Sequence, residues 1–160
     1  MSTRAHALAD RIKKNAEVLA CLAERLSDGE WRTIVPNDKR TVGVLVHHVA
    51  VSYPAEIDLA QNMMAGNAIA GVTAEVVEQI NAQHVHDHAL AEQSETIALL
   101  RQNSNAAANR VREFTDAQLD TAATVSLNAD ALLTAQFFIE DHAVRHSLHH
   151  LANIRSALRR

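Results

Sequence analysis

His142, His146, His149 and His150 crowd one short stretch of a chain that carries 10 histidines in 160 residues. That is well above what an average globular composition supplies. Imidazole is the commonest protein ligand for a transition-metal ion, and two imidazoles four residues apart on a helix stand one above the other on the same face. Both the 142/146 and the 146/150 pairs meet that spacing. Three imidazoles around one ion with a further position open is a common reactive arrangement, so a third inward histidine on another helix would complete a site.

Orientation separates the candidates. At about 100° per residue, the apolar stripe of Leu132, Leu133, Ile139, Ala143, Leu151, Ile154 and Leu158 has an edge that passes through His146 and His150. His142 and His149 fall further round, toward solvent. In the segment from Val42 to Met63 the same count places His48 at the edge of the stripe formed by Leu45, Val49, Leu59 and Met63, and turns His47 about 100° away. His48, His146 and His150 are therefore the expected ligands of one divalent ion. Imidazole nitrogen suits Zn, Ni, Fe or Mn. Glu56 lies on the apolar side two turns beyond His48, as a partner for a ligating histidine or as an internal ion pair or snorkelling carboxylate.

Long helices must hold these residues. Apolar residues at three- and four-residue spacing predict a first helix over 5–26, ended by Ser27, Asp28 and Gly29. A second runs from about Thr41 to Met64 and should kink at Pro54, which lacks an N–H and crowds the preceding turn. A third spans about Leu90 to Phe114, with Ser94 as a possible cap. The fourth runs from an Asp130 cap to about Leu158. Ala74 to about Gln83 predicts a short extra helix in the crossover between helices two and three. It leads into His84, Val85, His86, Asp87 and His88, read as a solvated polar connector in preference to a surface trap for stray metal ions. The segment 115–128 reads as a connector.

The expected fold class is all-α, a four-helix bundle. The crossover of roughly 25 residues can return the chain along a helix length, so helices two and three are expected to run parallel. His48 and His150 reach one level only if helices two and four are antiparallel, which that arrangement provides. The whole chain, 1–160, fits one domain.

The segments Thr41-Val42-Gly43-Val44-Leu45-Val46-His47-His48-Val49-Ala50 and His146-Ser147-Leu148-His149-His150-Leu151-Ala152-Asn153-Ile154 resemble the two signature helices of the DinB/YfiT superfamily. In that family one histidine on the second helix and an H-x-x-x-H pair on the last bind a divalent metal in a bundle of up-down-down-up order. The resemblance carries onto His48, His146 and His150. It departs from the commoner pattern at Ser52 and Tyr53, where an acidic residue often follows the first histidine, and at Asn153-Ile154, where Gln-Ile is usual. Several relatives transfer low-molecular-weight bacterial thiols such as bacillithiol or mycothiol onto electrophiles. The resemblance thus implies a metal-dependent thiol S-transferase or related detoxification enzyme with small-molecule thiol and electrophile substrates, with a homodimer as one assembly state. A metal-dependent hydrolase and a non-catalytic, stress-associated metal-binding protein are the alternatives. No second catalytic group is recognisable.

Composition narrows the partners. A formal net charge of −4 and a pI near 6.2 provide no basic face for nucleic acid. No stretch approaches the roughly 18 apolar residues of a membrane span, and residues 1–10 lack the apolar core of a signal peptide, so a cytoplasmic location is expected. No Glu-x-x-His and no H-E-x-x-H occurs, which argues against a ferritin-like di-iron bundle and a zincin protease. Cys21, the sole cysteine, sits in an apolar helical pattern as an expected buried structural thiol.

Overall fold

Side-chain caps fix where the long helices begin. In the computed structural model, which describes residues 2–159, Ser2 accepts from the Ala5 N–H to start α1 (Thr3–Ala23), and Thr41 accepts from Val44 to start α3 (Val42–Met64). Between them lies the single turn α2 (Asp28–Trp31), closed by a Ser27/Glu30 capping box. The crossover carries α4 (Ala74–Asp87). The third long helix, α5 (Gln93–Arg112), is capped by Glu92, not by Ser94, because the Glu92 carboxylate reaches the Glu95 N–H at 2.8 Å.

The stretch before the last histidines differs most from the sequence expectation. After α6 (Asp116–Asp120) come two antiparallel strands, β1 (Ala122–Val125) and β2 (Ala131–Thr134). The five-residue loop between them takes a 3-10 turn over Ser126–Asn128 and then passes through Ala129 and Asp130 in the left-handed region, with φ of 54° and 56°. Asp130 therefore belongs to a turn, and Thr134 caps the last helical run by accepting from Phe137. That run is α7 (Ala135–Ile139), a π-helical turn over Glu140–Val144, and α8 (Arg145–Leu158). Ile69 of the crossover bridges β1, its N–H donating to the Thr124 carbonyl at 2.9 Å.

Contacts between helices set their directions. Gln93 meets the Ala23 carbonyl and Arg112 meets Asp10, so α1 and α5 are antiparallel. Asn103 meets Ala50 and Arg110 meets Asp58, so α3 and α5 are parallel. Arg11 meets Glu140 and Asn15 meets Val144, aligning α1 with the last run, while Glu56 and Tyr53 meet His146 and Ser147 across antiparallel helices. The order is up-down-down-up. Ile12, Leu19, Leu45, Ile57, Leu100 and Ile154, all at or near zero exposure, fill the space between the helices.

α3 runs on through Pro54. Proline has no N–H for the carbonyl four residues back, and that carbonyl, on Ala50, accepts from the Asn103 side chain at 2.8 Å instead. Asn103→Ala leaves it unpaired and should lower unfolding free energy by about 1–2 kcal/mol. Urea denaturation of the variant checks this, and unchanged stability would mean water replaces the amide at no cost. Cys21 is half-buried rather than buried, its Sγ donating to Glu17 at 3.3 Å.

Candidate metal centre

His48 stands on α3 about two turns past the Thr41 cap, and His146 and His150 stand one turn apart on α8. The structure brings the three together: one ligating atom from each lies within 4.8 Å of the other two. The ring centroids of His146 and His150 are 4.9 Å apart, and His48 lies 4.9 and 5.4 Å from them. The Nε2 atoms of His48 and His146 approach to 3.1 Å. Two nitrogens on one ion at about 2.0–2.1 Å each stand roughly 3.0–3.4 Å apart, so the pair already has the separation of neighbouring ligands.

Neighbouring contacts hold this geometry. Buried Tyr53 and Ser147 share a hydrogen bond across α3 and α8, which locks the register of the helices carrying the histidines. The π turn at Glu140–Val144 ends immediately before α8, and Asn15 donates to the Val144 carbonyl at 2.9 Å. Such turns shift the phase of a helix by about one residue and recur beside functional sites. His142 consequently lies half-buried against Phe138, with ring centroids 4.2 Å apart. It is not the solvent-facing residue that an unbroken helix implies, whereas His149 is exposed.

Glu56, only 8% exposed, accepts from His146 Nδ1 at 2.7 Å through Oε1. Nδ1 then carries the proton, and the lone pair of His146 Nε2 faces the cluster. On the other side, Asp38 and Arg40 form a two-pronged ion pair, and Asp38 Oδ2 lies 3.9 Å from His150 Nδ1. That contact is too long for a hydrogen bond, and His150 Nδ1 is buried with no partner. Burial, reinforced by His146 and Arg40, pushes His48 and His150 each down to about 2. Both are neutral across physiological pH, the protonation state in which imidazole binds a metal. Neutral rings and correct spacing together fit a divalent ion.

Among the described residues this group stops at three ligands. Asp38 has both oxygens on Arg40, and Glu56 has one on His146. A cleft of about 190 Å³ bordered by Glu56, Asp141, His142, Arg145 and His149 opens onto His146 and His150. Asp38 and Arg40 escape sequence reasoning because they lie on a loop without periodicity. A bridge between Ile34 and Thr41 and a left-handed Lys39, φ 65°, bring them to the site.

His84 and His88 are not part of a merely solvated connector. α4 extends to Asp87, and both rings pack with His47 in a second group. Their spacing of four residues on a helix is the signal that identifies them. His86 alone points to solvent, with 84% of its side chain exposed.

Residues 11–154 match the family profile of the DinB superfamily. The fold is similar to that of YfiT from Bacillus subtilis, described as "a probable metal-dependent hydrolase with an unusual four-helix bundle topology". The TM-score is 0.79 at 20% identity, covering 99% of this chain and 89% of that one. No functionally curated protein matches the chain. No helix among the described residues is long and apolar enough to cross a membrane.

Proposed function

This chain belongs to the DinB superfamily, and on that premise we propose that it is a metal-dependent enzyme whose catalytic divalent ion, Zn, Ni, Fe or Mn, is held by His48, His146 and His150. Its reaction is transfer of a low-molecular-weight thiol to a small electrophile, or a related detoxification step. The observation that carries this reading is the convergence of three imidazoles, with Asp38 held by Arg40 and one Glu56 oxygen held by His146. A divalent ion in such an open site lowers the pKa of a bound thiol or water, making a nucleophile near neutral pH.

The residues have distinct tasks. Glu56 fixes the His146 tautomer and ring plane, and Arg40 helps keep protons off His48 and His150 through its charge. Asp38 in turn anchors Arg40. A thiol, acidic enough to ionise on binding, needs no dedicated protein base. The cytoplasm, where thiols stay reduced, is the compartment this reading implies, and the assembly it admits includes a homodimer.

Hydrolysis is the second reading. It is favoured by the likeness to YfiT, itself described as a probable metal-dependent hydrolase, and by the buried, unpartnered Oε2 of Glu56, an oxygen able to take a proton. The test loads the protein with each metal and offers a panel of small thiols with an alkylating electrophile, alongside ester and amide substrates. We expect thiol consumption that His146→Ala abolishes, and a sulfur-to-metal charge-transfer band when the same thiol meets the Co-substituted protein. Ester or amide turnover without thiol transfer would establish the hydrolase, and inertness toward both would leave a binding protein.

A further inference from the structure

The crossover helix α4 has no fully buried residue along its length. Apolar burial, the usual reason a short helix stays docked, therefore contributes little here. What α4 brings to the bundle is imidazole. His47 Nδ1 of α3 lies 2.9 Å from His84 Nε2. The His88 ring stacks on His47 with centroids 4.0 Å apart and planes 28° from parallel, and lies 4.8 Å from His84. One ligating nitrogen from each of the three falls within 4.8 Å of the others.

Two further observations point to a cation. His47 Nδ1 and His84 Nε2 already stand at the separation of two nitrogens on one ion. The cluster also sits at the C-terminal end of α4, where His88 is the C-cap and carbonyl dipoles favour positive charge. Beside it a groove of about 450 Å³, lined by His47, Asp87, His88 and Glu92 among others, gives solvent and small ligands access.

We propose that His47, His84 and His88 form a second divalent-metal site, separate from the one built on His48, which pins the crossover helix to the bundle. An all-imidazole donor set selects Zn, Ni, Cu or Co over Mg or Ca, which want oxygen. The two sites are neighbours, since the His48 and His84 rings meet edge to face at 5.6 Å. An ion in the second site therefore holds one wall of the first. It does not need the first to be filled.

Zn titration into chelator-stripped protein, with elemental analysis after dialysis, tests this. Wild type should hold about two ions per chain, His84→Ala or His88→Ala about one, and His48→Ala about one. Combining His48→Ala with His88→Ala should leave none, and the exposed His86→Ala should keep both. Zn should also slow proteolytic cutting within residues 66–90 by about tenfold or more in wild type and in His48→Ala, but not in His88→Ala. Circular dichroism verifies that the variants fold. A single ion in wild type that His84→Ala and His88→Ala retain would overturn the second site. Loss of one ion in His88→Ala with both kept in His48→Ala would sustain it and sink the His48 assignment instead.

Discussion

His48→Ala or His150→Ala should weaken divalent-ion binding at the His48, His146 and His150 group by about a hundred- to thousandfold. Zinc sites with four ligands have apparent binding free energies of roughly 10–16 kcal/mol, so each ligand accounts for about 2.5–4 kcal/mol. Glu56→Gln should weaken binding less, by about 10–100-fold, since it removes the carboxylate that orients His146 and leaves the ligand in place. His149→Ala, on an exposed ring, should change nothing. His142→Ala should also keep the ion, because its half-buried ring packs against Phe138. Calorimetry with Zn in the His88→Ala background isolates this site. Unreduced affinity in His48→Ala would remove it from the ligand set, and loss of the ion in His142→Ala would add a ligand.

How much of this arrangement was legible in the sequence depends on periodicity. His48, His146 and His150 lie on long amphipathic helices, where a 3.6-residue count against a clear apolar stripe says which ring turns inward. The crossover length carried the parallel direction of α3 and α5, and with it the level at which His48 meets His150. Where no stripe exists the count has nothing to act on. α4 buries nothing fully, so His84 and His88 looked like part of a polar connector. The strands Ala122–Val125 and Ala131–Thr134 are four residues each, the second without alternating burial, and their turn uses Ala129 and Asp130 instead of the glycine that usually marks one. Thus the hairpin was invisible, and Leu132 counts toward no helix. The π turn over Glu140–Val144 follows from packing against α1, with Asn15 taking the Val144 carbonyl. No residue type announces it, so an unbroken helical count turns His142 toward solvent. The acidic partner commonly found near the first histidine is absent at Ser52 and Tyr53. Glu56, one turn further on, fills that role because two turns of α3 return it to the face of His48.

Acid should destabilise the metal-free protein well before its carboxylates begin to titrate. In the unfolded chain a histidine has a pKa near 6.5, whereas burial holds His48 and His150 down to about 2 in the folded state. As pH falls below about 6.5 the unfolded chain takes up protons that the folded one refuses, so stability is full above that pH and declines below it. Each histidine contributes a slope approaching about 1.4 kcal/mol per pH unit, which integrates to roughly 2 kcal/mol between pH 7 and pH 5. The pair should therefore cost about 4 kcal/mol, a large share of the roughly 5–15 kcal/mol that stabilises a typical domain. His84, His47 and His142 are shifted downward by burial as well and act in the same direction. Glu17, Glu24, Asp116 and Asp120 have carboxyls lowered by Arg101, Arg4 and, for Asp116, Ser2. They lose their contribution only below about pH 5, outside this window. Urea denaturation of chelator-treated protein at pH 7, 6 and 5 measures the slope, and His48→Ala should remove close to half of the pair's contribution. Saturating Zn should raise stability at every pH and leave the slope set by His48 and His150 unchanged, since both are already neutral in the folded chain. A flat profile from pH 7 to pH 5 in the metal-free protein would mean that His48 and His150 protonate without unfolding, and that the cluster opens to water more readily than its burial implies.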